Sequence, residues 1–353
     1  MPVDERDTMF ARMALNKGSE PFRQYYESHP EKTEQDDFLR SLPDLGSQET
    51  PTYTPLGSPV TDGLFRMLSD LRPLAEGMPS TRPSVSDAGV LTRWAKGLAG
   101  YLGADDVGVA RMNPGIYYSQ RGRHEETFGQ PVTEDLPNVL VVVVAMDPRM
   151  IHKGPLAPEM METARGYLKA GITAIASACV IREMGYQARA HTDGNYLLVA
   201  SRAAVAAGLG VFGRSGLVIH RKFGPCIRLS AVTTDMPLVP DEQDLASVAV
   251  RCFCRICGRC ARFCPGRAIP EGDSVPEREN PWPLNAEKCY EAWRRMGTDC
   301  GVCISACPFT AGLDWKKLEE SQGRREVLER ILLRCGGKET PRPFDPTPPE
   351  WWS

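Results

Sequence analysis

Hydrophobic and polar positions divide the 353-residue chain into three stretches. Residues 1–85 show no sustained period, and turn-forming residues are frequent between 41 and 59 and again between 77 and 86. The frequent turn-forming residues predict an irregular arm with short helices, one of them from about Gly63 to Leu71. The arm contains clustered aromatic residues, such as Phe10, Tyr25 and Tyr26. We therefore expect it to wrap over the rest of the protein, with its aromatic side chains pinning it to the surface.

From residue 86 to about 245 the pattern alternates between helical and extended periods. It predicts helices at about 90–101, 158–184 and 197–207, and strands at 107–112, 139–146, 217–220 and 227–233. The stretch Val139 to Met146 is apolar throughout, which is typical of a strand covered on both faces. Pro158 and Gly185 bound the long helix, as proline and glycine commonly do. The expected fold class is α/β or α+β, built in layers.

The third stretch, residues 246–312, is dominated by cysteine. Eight of the 12 cysteines, between 254 and 308, form two runs that each end in Cys-Pro. The first run, with Cys254, Cys257, Cys260 and Cys264, matches the C-x2-C-x2-C-x3-C-P pattern of bacterial ferredoxins. The second has Cys289, a gap of ten residues, and then Cys300, Cys303 and Cys307. The spacing predicts a ferredoxin-like domain with two [4Fe-4S] clusters, followed by a helix and a Pro/Trp-rich tail at 313–353.

In two-cluster ferredoxins the fourth cysteine of each run binds the other cluster. Carried over to this chain, cluster one takes Cys254, Cys257, Cys260 and Cys307, and cluster two takes Cys264, Cys289, Cys300 and Cys303. A disulfide framework is the first alternative, but it is typical of short secreted domains. Zinc is the second, and zinc sites do not require the C-x3-C-P ending twice.

Composition limits the class of protein. With 42% apolar and 25% charged residues, the chain is expected to be globular, and a net charge of −3 provides no general attraction for nucleic acid. No apolar stretch approaches the roughly 20 residues of a membrane span. The N-terminus has neither an apolar signal region nor a twin-arginine motif, so we expect a cytoplasmic protein. A trimmed twin-arginine leader, with a membrane partner, is the alternative.

Two glycine-containing patterns allow more than one interpretation. Gly208 and Gly210 follow a predicted helix instead of a strand, which disfavours a dinucleotide-binding loop. On the long helix, Tyr167 is followed at helical spacing by the small residues Ala170, Gly171 and Ala174. A broad, flat ligand could lie on this face, but close packing of another helix is the favoured interpretation.

Taken together, these patterns resemble the reductive dehalogenases, which are cobalamin and iron-sulfur enzymes that remove halide from organohalides. The similar residues extend along most of the chain. They include Asp7 to Phe10, Tyr25-Tyr26, His29-Pro30, Asp36-Asp37, Leu102 to Gly108, Gly166-Tyr167, Gly185-Tyr186, Ala207 to Gly210, Gly213-Arg214, Gly224-Pro225, Arg228, Thr234 to Leu238, Lys288 to Tyr290 and Trp293 to Cys303.

The resemblance implies a nitroreductase-like domain that holds a base-off corrinoid, with an organohalide as substrate and a separate low-potential protein as electron donor. It also implies a tyrosine proton donor beside a basic residue, and the matching positions are Tyr167 and Arg228. Asn195 is a weaker match for a polar pocket residue. Gly208, Gly210 and Gly224 complete the set of residues expected to bind the cofactor.

Two other functions remain open at this stage. Epoxyqueuosine reductase, a related corrinoid enzyme acting on tRNA, would use an aspartate as donor, and Asp193 lies near the expected position. The arm, the Gly166-Tyr167 pair and the acidic net charge disfavour it. An electron-transfer protein without a substrate of its own is the other alternative, although some 240 residues before the clusters exceed what a carrier requires.

Overall fold

An antiparallel sheet lies at the centre of the structure, a computed structural model that describes residues 2–81, 87–242, 247–272, 280 and 282–352. The sheet has four strands in the order β1-β2-β6-β3. These are β1 (Asp106–Arg111), β2 (Asn138–Ala145), β3 (Ala188–His191) and β6 (Ile227–Thr234). A separate antiparallel ribbon consists of β4 (Gly210–Phe212) and β5 (Val218–His220). Because neighbouring strands are antiparallel, the fold is α+β within the expected class.

Strand β2 is buried on both faces, as its apolar sequence predicted. Leu140, Val142 and Val144 join one hydrophobic core, together with residues of α5 (Ala88–Tyr101) and α7 (Ala157–Glu183). The alternate residues, represented by Val139 and Val141, join a second core with α8 (Ala200–Ala206). Each fully buried aliphatic side chain contributes roughly 1.5–3 kcal/mol relative to an exposed one, so the two cores fix this sheet firmly.

The small residues after Tyr167 serve helix packing. A Cβ atom at Gly171 would lie 2.5 Å from Leu68 Cδ1, on α4 (Ser58–Asp70). Ala170 and Ala174 are fully buried in the core beneath the sheet. The favoured interpretation is therefore confirmed, and the alternative of a flat ligand on this face is wrong.

The arm consists of α1 (Met9–Ala14), α2 (Glu20–Ser28), α3 (Thr33–Ser41) and α4. It is attached by a buried ion network around Arg12, whose guanidinium pairs with Asp36 and, at 2.7 Å, with Glu287. The hydroxyl of Tyr26 donates to Asp36 at 2.7 Å. This network joins the start of the chain to the cysteine-rich segment.

The cysteine-rich segment is built from short helices. They are α9 (Ser247–Cys257), α10 (Arg259–Arg262), α11 (Ala286–Met296) and α12 (Val302–Ser305), followed by α13 (Trp315–Glu320) and α14 (Arg325–Arg334). Leu318, Leu328 and Leu332 share a core with Phe253 and Phe309, so one core crosses the boundary expected at residue 312. The boundaries expected at 85/86 and 245/246 lie outside the described residues.

Further hydrogen bonds tie this segment and the C-terminal tail to the rest of the protein. Arg214, which follows β4, donates to the carbonyl of Cys254 at 3.1 Å and to that of Pro270 at 2.7 Å. The C-terminal tail passes Lys153, which follows α6 (Pro148–Ile151) and donates to the carbonyl of Thr347 at 2.6 Å. In the part of the chain that the structure describes, no helix combines the length and the apolar character needed to cross a bilayer.

Candidate active site and cluster sites

A cavity of about 530 Å³ lies between the arm, α7 and the cysteine-rich segment. Ligand pockets commonly occupy roughly 300–1,000 Å³, so this volume suits a bound molecule. Most of the lining is apolar and comes from distant parts of the chain, as shown by Phe10, Leu45, Phe65, Met160, Leu217, Ile269, Trp293 and Ile304. Among its polar groups are Tyr167, Asp193, Arg228 and Asp299.

Tyr167 and Arg228, paired by the resemblance, are adjacent in this cavity. The Arg228 Cζ atom lies 4.9 Å from the centre of the Tyr167 ring, a cation–π distance. A Cβ atom at Gly166 would lie 2.9 Å from Arg228 Cγ. Glycine at 166 therefore gives the arginine stem room to cross α7 and reach the tyrosine.

The cavity keeps Tyr167 protonated. Burial raises the pKa of this phenol above its usual value, and although the Arg228 cation lowers it, burial has the larger effect. The phenol is thus in the form that a proton donor requires. Once the proton has left, the adjacent cation stabilises the phenolate.

Two side chains that sequence reasoning missed hold Arg228 in place. Arg228 Nη2 donates to Thr163 Oγ1 at 2.6 Å and to Asp299 Oδ2 at 3.3 Å. Thr163 lies four residues before Tyr167, so both project from the same face of α7. Asp299 directly precedes Cys300. These positions, one helical turn from the tyrosine and next to a cysteine, were the only signals in the sequence.

A buried carboxyl group extends this network. Glu159 is fully buried, and burial, followed by the nearby charge of Asp299, raises its pKa well above the usual value. Thr163 Oγ1 donates to Glu159 Oε1 at 3.4 Å. Gly301 lies against this carboxyl group with a φ of +60°, and a Cβ there would come within 2.3 Å of Glu159 Oε1. Glycine is therefore required beside Cys300.

The electrostatic influence of the thiols on one another favours two groups of four, with one influence, that of Cys303 on Cys260, crossing between the groups. Burial is the largest cause of the raised pKa of Cys260, and the next causes are Cys254, Cys307, Cys303 and Cys257. The pKa of Cys307 is likewise raised by burial and then by Cys254 and Cys257. In the other group, the pKa of Cys303 is raised by burial and then by Cys289 and Cys264, and that of Cys300 is raised by burial and, to a smaller extent, by Cys303. This grouping has the exchange of fourth cysteines expected of a two-cluster ferredoxin.

The donor chemistry of both groups suits iron-sulfur clusters. All 12 cysteines are free of disulfide bonds. Burial raises the pKa of Cys254 and of Cys303 to about 12, so a strong Lewis acid such as iron is needed to hold them as thiolates. Within the described ranges, no three His, Cys, Asp or Glu side chains converge closely enough for a single ion. A cubane does not need that convergence, because its four thiolates are spread over one cluster.

The two groups face different spaces. Cys264, Cys289, Cys300 and Cys303 all line the cavity that contains Tyr167. Cys307, of the other group, lines a separate groove of about 470 Å³. One candidate cluster therefore faces the tyrosine, and the other faces a different surface of the protein.

The remaining predicted residues do not line the described cavity. Asn195 accepts a hydrogen bond from Arg189 at 3.1 Å, Gly208 lies two residues after the end of α8, and Gly210 begins β4. At Gly224, with a φ of +58°, a Cβ would meet the Phe309 backbone at 2.6 Å. Each has a local structural role, and a role in cofactor binding stays a prediction.

The arm does more than wrap the surface. Phe10, Leu45 and Phe65 form part of the cavity lining. The expectation that its aromatic residues only pin the arm is therefore wrong for Phe10. Its ring also lies 6.0 Å from Trp293, so the arm and α11 close one wall together.

Comparisons with known proteins find similarity to the cysteine-rich segment alone and to longer parts of the chain. The 4Fe-4S dicluster domain family matches residues 253–331. A tetrachloroethene reductive dehalogenase of Sulfurospirillum multivorans is 35% identical over 306 residues, which is 77% of this chain and 57% of that protein. An epoxyqueuosine reductase of Lactococcus garvieae is 26% identical over 33% of each chain.

Solved structures of reductive dehalogenases share the fold. The catabolic enzyme NpRdhA is 23% identical with a TM-score of 0.73, over 95% of this chain and 46% of that chain. A second reductive dehalogenase structure, which suggests a mechanism for B12-dependent dehalogenation, is 22% identical with a TM-score of 0.70. The match covers 96% of this chain and 47% of that chain. The chain thus spans about half the length of these proteins.

Proposed function

Because this chain is related to the reductive dehalogenases over about three quarters of its length, we propose that it removes halide from an organohalide with a corrinoid and two [4Fe-4S] clusters. One observation carries the proposal. A half-buried tyrosine, whose pKa is raised above its usual value, lies beside an arginine and shares a cavity with four cysteines of one candidate cluster. Proton donation and electron supply would therefore meet at a single site.

The cavity residues suit a corrinoid in the chemistry of their side chains. Tyr167, Arg228 and the cysteines of the second group all line this mostly apolar cavity, so a corrinoid held in it would share one site with the proton donor and with the second cluster. We assign its contacts to the apolar wall, including Phe65, Met160 and Trp293. When bound, cobalamin would supply a reduced cobalt able to break the carbon–halogen bond.

The residues of the chain supply the proton and its control. Tyr167 gives its phenolic proton to the carbon that loses the halogen, and Arg228 stabilises the phenolate that remains. Thr163 and Asp299 keep the guanidinium in position through the two hydrogen bonds described above. The apolar arm and α11 limit access of water. Overall, the organohalide, two electrons and one proton give the dehalogenated product and halide.

The substrate and the electron donor follow from the same chemistry. The apolar lining favours an uncharged organohalide, since Arg228 is already paired with Asp299 at 3.3 Å. Tetrachloroethene, which appears in the name of a curated relative, is the first compound to test. The electrons would come from a separate low-potential protein.

Anaerobic reconstitution with iron, sulfide and cobalamin tests the proposal. We expect about eight iron atoms and one corrinoid per chain. With reduced methyl viologen as reductant, halide should be released from tetrachloroethene or from another member of a panel of haloalkenes, alkyl halides and halogenated phenols. Full iron loading without corrinoid uptake or halide release would leave an electron carrier as the function.

Epoxyqueuosine reduction is the second candidate, favoured by one observation. Asp193 lines the same cavity and is half-buried, and desolvation raises its pKa despite the opposing charges of Arg123 and Arg228. It could therefore also carry a proton. Loss of activity in Asp193→Asn, together with full activity in Tyr167→Phe and reduction of an epoxyqueuosine-containing tRNA stem-loop, would favour this candidate.

A further inference from the structure

A cationic groove lies beside the first group of cysteines. Its volume is about 470 Å³, and Cys307 forms part of its lining. Lys317 of α13 and Arg334 of α14 are exposed on its walls, while Leu313 and Ile331 provide partly buried apolar surface between them. The groove therefore combines an apolar floor, basic side chains and a candidate cluster ligand.

The charge of this surface contrasts with that of the whole chain. The groove has two exposed cations, Lys317 and Arg334, the buried Arg259, and a single carboxylate, Asp314, which pairs with Lys317 at 2.9 Å. The adjoining residues 251–267, which contain the first cysteine run, have five arginines and no aspartate or glutamate. The complete chain has a net charge of −3. Positive charge is thus concentrated around the first cluster site.

The position of the groove gives this charge a function. The cysteines of the second group line the cavity with Tyr167, whereas Cys307 of the first group lines the groove. An electron that reaches the cavity through both clusters would therefore start from the groove. A carrier that docks there needs a surface complementary to the groove, and that surface must be acidic.

We propose that this groove is the docking surface for an acidic one-electron carrier protein of the ferredoxin class. The inference rests on the proposed function and identifies where its electrons enter. In each encounter the carrier is oxidised by one electron and the first cluster is reduced by one, without proton transfer. Two encounters supply the pair of electrons used for each halide released. Lys317 and Arg334 steer the carrier electrostatically, and the apolar floor contributes contact area.

The test uses the charge-reversed double variant Lys317→Glu/Arg334→Glu in the reconstituted protein without organohalide. Reduced acidic ferredoxin should bleach the visible cluster absorbance at least about tenfold more slowly than in the unaltered protein, because steering increases association rates by roughly 10–1,000-fold. Its salt dependence should also diminish. Reduced methyl viologen, a small cation, should bleach both proteins at the same rate.

A matched control changes the net charge by the same amount elsewhere. Arg93 on α5 and Arg149 on α6 are exposed outside the groove. We expect Arg93→Glu/Arg149→Glu to be reduced by ferredoxin at the unaltered rate. Equal slowing in this control, or no slowing in the groove variant, would overturn the inference.

Two further measurements separate docking from damage and from catalysis. The neutral variant Lys317→Gln/Arg334→Gln should show an intermediate rate with ferredoxin and a weaker affinity for oxidised ferredoxin, with unchanged iron content. An affinity equal to that of the unaltered protein would overturn the inference. Charge-dependent bleaching without halide release would support docking and contradict the proposed dehalogenation. Halide release with methyl viologen as reductant, together with the same rate of reduction by ferredoxin in all variants, would support the proposed dehalogenation and contradict docking in the groove.

Discussion

The sheet with α7 and the cysteine-rich segment reach an ordered structure by different means. Helix α7 has 27 residues and packs on a sheet whose central strand is buried on both faces. In the cysteine-rich segment, α10 and α12 have four residues each, and α9 and α11 have 11. Helices this short are marginal alone, so this segment depends on neighbouring contacts and on metal ligation.

This difference assigns the chemistry to two kinds of scaffold. Tyr167 stands on the part that apolar packing makes rigid, whereas the electrons of the proposed reaction would pass through the part that needs iron. The Arg228 to Asp299 hydrogen bond, at 3.3 Å, joins them at the cavity. Each prediction below disturbs one side of this comparison and measures whether the other side persists.

Replacing a cysteine of the second group should have the largest effect. Cys303→Ala should lower the iron content from about eight to about four atoms and abolish halide release, since one cubane loses a ligand. Far-UV circular dichroism should still show the sheet and α7. Cys179→Ala, which changes a half-buried cysteine of α7, is the control and should retain all the iron. Full iron in Cys303→Ala would contradict the ligand assignment.

Removing the phenolic hydroxyl should be nearly as severe for activity but harmless to the metal side. Tyr167→Phe should lower halide release by at least ~100-fold, the usual contribution of a positioned proton donor. Iron and corrinoid contents should stay unchanged. Tyr196→Phe is the matched control, because that hydroxyl already donates to the Leu229 carbonyl at 2.6 Å. A Tyr167→Phe protein with unaltered activity would exclude this residue as the donor.

Removing one of the two side-chain hydrogen bonds that hold Arg228 should decrease the rate by an intermediate amount. Thr163→Val removes an acceptor worth about 1 kcal/mol, which corresponds to roughly a five- to tenfold decrease in kcat. We expect KM to stay unchanged and Thr163→Ser to restore the rate, since serine retains the oxygen. Thr173→Val changes another buried threonine of α7, whose hydroxyl donates to the Lys169 carbonyl at 2.9 Å, and should leave kcat unaffected. An equal loss in both valine variants would indicate general destabilisation of α7.

The smallest expected effect concerns the stability of the sheet at acid pH. Burial and Arg189 lower the pKa of His191 to about 4. The pKa of Glu134, despite its burial, is lowered to about 2 by His191 and Thr233. The unfolded chain therefore binds more protons, and stability falls as pH decreases from about 6.5 to 4 through His191 and from about 4.5 to 2 through Glu134.

His191→Gln tests the upper part of this window. In the unaltered protein the free energy of unfolding should fall by on the order of 3 kcal/mol between pH 6.5 and 4, at about 1.4 kcal/mol per pKa unit. The variant should lose most of this slope, whatever its stability at neutral pH. Chemical denaturation at several pH values measures it. The same slope in both proteins would contradict the assignment.

Local patterns predicted much of the fold. The apolar stretch of β2, the proline and glycine that bound α7, and the two cysteine runs each depend on neighbours a few residues apart. The arm helix expected at about 63–71 begins earlier, at Ser58, with proline in its first turn. Strand β3 was missed, because Ala188 to His191 has no β-branched residue and is a strand through its pairing with β6.

The sequence by itself determined that this protein has a layered α and β unit, a cysteine-rich segment with two cluster patterns, and a tyrosine on a long helix. Only the tertiary structure decided what surrounds them. Arg228 meets Thr163 and Asp299 across 65 and 71 residues, and Arg12 meets Glu287 across 275. The arm wall and the cationic groove are likewise formed by segments far apart in the chain. Periodicity and spacing are local properties, whereas these contacts depend on how distant elements pack, which no local pattern encodes.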